Sequence, residues 1–310
     1  MSAQHIHALN DYLAGADCLL AIGSFDGVHR GHQAVISRMV AQARTAGLQA
    51  VVLTFHPHPA VLLGKRPQNS CLTLPYARAQ LLQQFGIDTV ITHPFDREIS
   101  LLSADAFLAQ LQTHLHFRQL WCGQDFALGY RREGDTTWLA QHAPQYGYQL
   151  QVTEPFHWDN TVLSSTRIRQ WLHVGQVDIA RQALGRSFAV CGVVVRGQQL
   201  GRQLGFPTAN VQLSPEQLLP ANGVYACRVV LTNGMCYWAA VNIGLRPTLN
   251  RELGVSVEAH LLDFSGDLYG QELCIQFETF LRLEQKFSGL PALIAQIEQD
   301  VARVRLLCEN

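Results

Sequence analysis

The sequence predicts two domains: an α/β domain built on a mostly parallel sheet, and after it an antiparallel β-barrel or sandwich closed by a C-terminal α-helix. Three observations predict this. Over residues 18–155 short apolar runs alternate with helix-like segments. From Phe188 the helical segments give way to successive β-rich segments separated by turn signals. From Leu290 an apolar stripe returns at helical spacing.

In chain order, candidate strands fall at 18–22, 50–55, 87–92, 118–122 and 148–153, with candidate helices at 32–46, 75–85, 103–115 and 135–143. Gly47 and Gly86 stand where helix C-caps belong, and Ser103 and Asp135 where N-caps belong. Two short helices, 165–173 and 177–184, end at Gly175 and Gly185, and the domain boundary is set there: 1–185 and 186–310. The β-rich segments are 188–195, 223–231, 235–243, 255–263 and 272–280, with Asn233-Gly234 marking a hairpin turn. The closing helix runs from Leu290 to about residue 307, with Leu290, Leu293, Ile294, Ile297, Val301 and Val304 on one face, and is expected to pack across the barrel.

Composition narrows the chemistry. A chain of 310 residues with 48% hydrophobic content can bury a core in each half. A net charge of −1 argues against a broad electrostatic footprint for nucleic acid or an anionic membrane, so neither is expected as a partner. Small anionic ligands need only local positive charge. Of the 23 basic residues only Lys65 and Lys286 are lysines, and neither has the neighbours of a Walker A loop. The eight cysteines form no close sequence pair and read as reduced core thiols, which points to the cytoplasm. No signal peptide and no run of about 18 apolar residues is recognisable. Self-association, where it occurs, is expected to be weak.

The first motif is Ile22-Gly23-Ser24-Phe25-Asp26-Gly27-Val28-His29-Arg30-Gly31-His32, at the carboxyl end of the first apolar strand, where ligands bind parallel sheets. Glycines 23, 27 and 31 allow close backbone approach to phosphate, the following helix presents its positive end, and His29 and His32 add donors. A His-x-Gly-His arises by chance roughly 0.04 times in a chain of this composition. A zinc site completed by His56 and His58 is the alternative, although the Pro57 and Pro59 beside them stiffen that segment.

The second motif, Ser164-Ser165-Thr166-Arg167-Ile168-Arg169, opens a helix, so Ser165 and Thr166 hydroxyls gather at the positive dipole end with Arg169 one turn on. An ordinary N-cap is the bland reading. The third, Gly197 to Asn210, holds Gly201, Gly205, Pro207, Thr208 and Asn210. The glycines can wrap a nucleotide, and the Thr208 hydroxyl and Asn210 carbonyl are hard oxygen donors suited to Mg²⁺. Glu258 lies mid-strand among apolar residues, where a carboxylate is costly unless paired or used.

The order of strand, His-x-Gly-His and Ser-Ser-Thr-x-Ile-Arg resembles the nucleotidyltransferase superfamily, whose first domain is Rossmann-like. The stretch 197–210, with Asn242 to Thr248, Val257 to Phe264, Gly266 to Gly270 and Leu281 to Phe287, resembles riboflavin kinase. In this order and over nearly the whole chain, the pieces resemble the bacterial bifunctional FAD synthetase family, riboflavin kinase fused to FMN adenylyltransferase. Ala127-Leu128 replaces the usual basic-aromatic pair after Asp125-Phe126, and Leu200 stands where a basic residue is common. The resemblance implies a C-terminal barrel that phosphorylates riboflavin, an N-terminal domain that joins FMN to ATP to give FAD, ATP as co-substrate and Mg²⁺ as cofactor. It implies Glu258 as the base for the ribityl hydroxyl. Asp125, Asp263, Phe264 and Arg282 would meet flavin, with Asp125 helping to place substrate or Mg²⁺. His29, His32 and Arg169 would hold phosphates of the adenylyl transfer, with Gly23, Phe25 and Gly27 in the same nucleotide turn.

Overall fold

The computed structural model describes residues 3–12, 16–197, 201, 204–246 and 254–308. Motif residues 198–200, 202–203 and 247–248 therefore lie outside the described residues. By contacts between residues the chain divides at Ser165/Thr166 into two compact units.

In the first unit, β1 (Gln4–Ile6), β2 (Cys18–Ile22), β3 (Gln49–His56), β4 (Thr89–Pro94) and β5 (Phe117–Gly123) enter one sheet, alternating with α1 (Arg30–Ala46), α2 (Pro59–Leu62), α3 (Pro75–Gln84), α4 (Arg97–Leu101) and α5 (Ala104–Leu115). A short hairpin, β6 (Ala127–Leu128) with β7 (Gly134–Asp135), precedes α6 (Thr136–Tyr146) and β8 (Gln149–Thr153). A second, β9 (His157–Trp158) with β10 (Thr161–Val162), follows. The sheet order is β1-β4-β3-β2-β5-β8, and every described pairing in it is parallel. β2 shows why the strands read as continuous apolar runs. Cys18, Leu20 and Ile22 join Leu108, Leu111 and Leu115 of α5 and Leu139 of α6, while Leu19 and Ala21 join Ile36, Met39 and Ala43 of α1 and Leu82 of α3. Both faces are covered, so both phases of the alternation must be apolar.

The expected caps on α1, α5 and α6 form: Gly47 takes the left-handed C-cap at φ 68°, and the Ser103 and Asp135 side chains accept from Ala106 and Trp138 amides. The α3 C-cap is Phe85, with Gly86 following it at φ 91°. The sheet also gains an edge strand, β1, which is too short and polar to register as a periodic pattern.

α7 (Ser165–His173) and α8 (Val177–Leu184) lead into the barrel strands β11 (Phe188–Val195), β12 (Ala209–Leu213), β13 (Gly223–Leu231), β14 (Cys236–Arg246), β15 (Gly254–Leu261) and β16 (Glu272–Arg282), and α9 (Leu290–Cys308) closes the chain. The strands close in the order β11-β12-β15-β14-β13-β16, every pairing antiparallel. α8 buries Val177, Ala180, Ala183 and Leu184 and packs on β16 and β11, so in packing it belongs with the barrel and not with the α/β unit. α9 lies on β13 and β14, with Val304 against Val224, Ala226, Leu262 and Leu281. Its stripe is narrower than expected, because Leu290 is exposed and Asp300 is buried within it.

Two expectations are corrected here. Ala209 and Asn210, expected in a nucleotide-binding loop, begin a sixth barrel strand, Ala209–Leu213; its apolar–polar alternation runs for only five residues directly after a Gly- and Pro-containing turn, and pairing on both edges fixes it as a strand. The reduced state expected for all eight cysteines fails for Cys191 and Cys274, which form a disulfide. They are 83 residues apart in sequence, and only the β11–β16 register sets them directly opposite one another. The argument from thiols to a cytoplasmic location goes with it. Among the described residues no helix is long and apolar enough to cross a membrane.

Candidate active sites

The first site is the turn between β2 and α1. Phe25 (φ 45°), Gly27 (φ 84°) and Val28 (φ 40°) all adopt left-handed backbone, which is costly for Phe and more so for β-branched Val. A conformation of that kind persists only where its surroundings over-determine it, and here they do. The Ser24 carbonyl accepts from Thr54 Oγ1 (3.0 Å) and Arg78 Nη1 (2.7 Å). The buried Asp26 carboxylate accepts from Arg66 Nη2 (2.8 Å) and from the Leu72 and Thr73 amides (3.3 and 3.0 Å). Thr73 Oγ1 in turn accepts from the Gly27 amide (3.0 Å). Ser165 Oγ donates to the Asp26 carbonyl (2.7 Å), so the second sequence motif is tied to the first by its leading hydroxyl.

His29 is the N-cap of α1, which starts two residues earlier than the pattern suggested. Its Nδ1 accepts from the His32 amide (3.3 Å), which leaves the ring proton on Nε2 and makes that nitrogen a donor. The two imidazoles stack at 3.6 Å, and His32 meets the Phe25 ring edge-on at 5.3 Å. A Cβ at Gly31 would press on the His29 ring and on Phe156 at 3.1 Å, and one at Gly23 on the Phe25 ring at the same distance. The turn is thus a rigid, glycine-lined cradle with a helix N-terminus and an imidazole N–H, the chemistry that receives phosphate.

Register places the flavin-side expectation beside it. Ala21 pairs with Trp121, so the turn after β2 and the turn after β5, which carries Asp125, leave the sheet at adjacent strand ends. Asp125 is exposed, and its carbonyl accepts from Arg132 Nη2 (2.6 Å). Arg169 is buried on α7; Thr166 and Arg169 both belong to the second contact unit. His58 caps α2 by accepting the Ala60 amide (3.0 Å), and among the described residues no group of three or more His, Cys, Asp or Glu gathers as a metal site. Burial first, and then the Arg66 charge, push the His58 pKa down to about 4.

Sequence reading missed Asp26, Arg66, Thr73 and Arg78. Asp26 stood inside the motif, and an acid flanked by turn residues was the available signal. The other three lie about 40–54 residues away in sequence and left none.

In the barrel the expected residues separate into two groups. Gly205, Pro207, Thr208 and Phe264, with Leu268 and Tyr269, line a cleft of about 630 Å³. The wrap is tight: the Gly201 carbonyl accepts from Leu204 and Phe206 amides, and a Cβ on Gly201 would overlap the Phe206 carbonyl. His260 Nδ1 bonds the Pro207 carbonyl (2.8 Å) and its ring meets Phe206 edge-on, which pins the Phe206-Pro207-Thr208 turn to β15. The second group is a row across three strands. Asn210 of β12 pairs in register with Glu258 of β15, which pairs on its other side with Asn242 of β14. Directly opposed residues share a face, so one carboxylate stands between two amides, and Thr208 lies just before β12, two residues ahead of Asn210.

Asp263 and Arg282 each hold an ion-pair partner. Asp263 is exposed and bonded to both Arg305 nitrogens, and that hydrogen bond holds its carboxyl below its usual range. Arg282 Nε and Nη2 grip the buried Asp300 carboxylate at 2.8–3.0 Å, and Gln296 Nε2 donates to the same group (3.1 Å). Asp300 was also missed, although an acid at the spacing of the α9 apolar stripe was a legible signal.

A phosphate cradle at the carboxyl edge of a parallel sheet, joined in one chain to an antiparallel barrel with a glycine-wrapped cleft and a cross-strand carboxylate, defines a two-site nucleotide-dependent enzyme. The family model for FAD synthetase matches residues 13–167 and that for riboflavin kinase residues 184–308. The chain is 37% identical over 289 residues to the bifunctional riboflavin kinase/FMN adenylyltransferase of Escherichia coli K12, covering 93% of this chain and 92% of that one. It is 38% identical over 292 residues to the protein of the same name from Pseudomonas fluorescens, covering 94% and 93%. A crystal structure titled as a macrolide-efflux protein from Streptococcus pneumoniae superposes with a TM-score of 0.87 at 27% identity, covering 98% of this chain and 99% of that one. The chain belongs to the bifunctional riboflavin kinase/FMN adenylyltransferase family.

Proposed function

We infer that this chain performs both reactions of its family: riboflavin and ATP give FMN and ADP in the barrel, and FMN and ATP give FAD and diphosphate in the α/β unit. The observation that carries the reading is that both motif sets are intact in one chain that its relatives match over nearly its whole length.

In the kinase step Glu258 takes the proton of the ribityl 5′-hydroxyl as that oxygen attacks the γ-phosphorus of ATP and the bond to the β-phosphate oxygen breaks. Asn210 and Asn242 flank the carboxylate and orient it. Gly201 and Gly205 let the backbone wrap the nucleotide, and Phe264 gives the cleft an apolar wall. The residues fit Mg²⁺: the Thr208 hydroxyl, just before β12, and the Asn210 carbonyl, on the strand opposite Glu258, are hard oxygens and would hold the ion, which would neutralise phosphate charge when bound. Arg282, fixed in orientation by Asp300, and Asp263 stand for flavin contact.

In the adenylyl step the FMN phosphate is itself the nucleophile, attacking the α-phosphorus of ATP as diphosphate departs, so the protein supplies positioning and charge. His29 Nε2–H and the turn amides hold the phosphates, His32 fixes the His29 ring by stacking and by its amide, and Ser165 secures the turn. Arg169 is assigned to the leaving diphosphate and Asp125 to the substrate. The partners are small molecules, any self-association is weak, and the location is assigned to the cytoplasm because both steps consume ATP, not on the state of the cysteines.

Incubation with riboflavin, ATP and Mg²⁺ followed by chromatography tests the reading. FAD is the expected end product with FMN as intermediate; FMN alone, or FAD only when FMN is supplied, contradicts one of the two assignments.

A further inference from the structure

Arg78, on the first turn of α3, is the most deeply buried charge beside the phosphate turn and lies outside the sequence motifs read above. One nitrogen, Nη1, holds the Ser24 carbonyl at 2.7 Å. Its Nε is buried with no hydrogen-bond partner among the described residues. Arg66, the second arginine here, is paired with Asp26 at 2.8 Å, and Asp26 is also the carboxylate whose charge Arg78 feels most. Two guanidinium groups facing one carboxylate leave a surplus of positive charge behind the turn. Burial works against both cations and also holds neighbouring His58 neutral. A buried arginine with an unsatisfied N–H is a poor way to stabilise a fold, since an apolar side chain of the same volume does so at lower cost. The Ser24 carbonyl already has a second donor in Thr54, so the bond alone does not explain a guanidinium at this place.

We propose that Arg78 is a positioning residue for adenylyl transfer: it clamps the Gly23–His29 turn through the Ser24 carbonyl and sets a fixed positive charge behind the backbone that receives the ATP phosphates. It touches neither substrate. Its charge is felt through the turn, whose low-dielectric surroundings make a fixed charge act over several ångströms. This rests on the assignment of the turn to ATP phosphate.

The test uses the full chain, with riboflavin phosphorylation and thermal unfolding measured on the same preparations. Arg78→Met, near-isosteric and neutral, is expected to raise KM for ATP in FAD formation at least about tenfold and to lower kcat about tenfold, with KM for FMN and the kinase rate within about threefold of wild type. Arg78→Lys, which keeps the charge, recovers most of the ATP effect even if its melting temperature falls as far. Thr54→Val, which removes the other donor to Ser24 but no charge, leaves KM for ATP within about threefold. The proposal is overturned if Arg78→Met leaves KM for ATP unchanged, if Arg78→Lys is as impaired as Arg78→Met, or if KM for ATP and FMN rise together. Where Arg78→Met fails to fold, Arg78→Lys and Thr54→Val decide: KM for ATP within about threefold of wild type in both supports the proposal, and a rise of about tenfold in either overturns it. His29→Ala is run beside them: full adenylylation in that variant overturns the phosphate assignment of the turn itself, whereas its loss with intact Arg78→Met overturns only the present proposal.

Discussion

The two units build their sites by opposite means. In the α/β unit the reactive groups are contiguous in sequence, from Gly23 to His32, and most of what they present is backbone held in an unfavourable conformation. In the barrel the groups come from three strands, 210, 242 and 258, and meet only because antiparallel register aligns them. A contiguous cradle spreads its work over many donors and depends on the shell that braces it. A cross-strand row concentrates its chemistry in one carboxylate. Removing a single side chain should therefore hurt the barrel more than the turn.

The sharpest way to break the comparison is to cut the chain. Residues 186–310 expressed alone are expected to phosphorylate riboflavin and to form no FAD at all, as read by chromatography. Because α8 buries its apolar face on β11 and β16, the longer fragment 166–310 should melt several degrees higher than 186–310. A cooperatively folded 166–310 without kinase activity would place that activity elsewhere.

Glu258→Gln comes next. Glutamine keeps the reach of glutamate but cannot accept a proton, so kinase kcat should fall about 10²–10⁴-fold with riboflavin KM little changed, while FAD is still made from supplied FMN. Near-normal turnover rules out Glu258 as the base. His29→Ala should cost FAD formation about 10²–10³-fold, since one of several donors is lost, and leave FMN formation close to normal. Equal loss of both activities in a folded variant would argue that the sites are not independent.

Two smaller effects distinguish the units by stability. Replacing Cys191 and Cys274 together by serine should cost the barrel about 2–4 kcal/mol in denaturant unfolding, because the bond closes a long loop in the unfolded chain. The α/β transition should not move. His58 provides the converse. Its folded pKa, about 4, lies below the unfolded value of 6.5, so between those two pH values the unfolded chain binds the extra proton. The stability it contributes is whole above pH 6.5, declines as pH falls towards 4 and is flat below that. His58→Asn retains a helix cap but cannot titrate, so it should flatten that acid slope in the α/β unit. An unchanged slope assigns the dependence to other groups.

What the sequence by itself determined follows from short-range physics. Continuous apolar runs set the doubly covered strands of the sheet, and glycine spacing marked the turn whose φ values only permissive backbone or strong bracing allows. Cap chemistry located the starts of α5 and α6. Tertiary structure alone decided the rest. Barrel closure fixed the short Ala209–Leu213 segment as a strand, and register placed Asn242 beside Glu258 and joined Cys191 to Cys274. Packing carried Arg66, Thr73 and Arg78 under a turn 40 or more residues earlier, and buried Asp300 against Arg282. The physical reason is common to all of these: dihedral preference and periodicity act within a few residues, whereas hydrogen bonds, ion pairs and disulfides form between whichever groups the closed sheet brings within about 3 Å, at any separation along the chain.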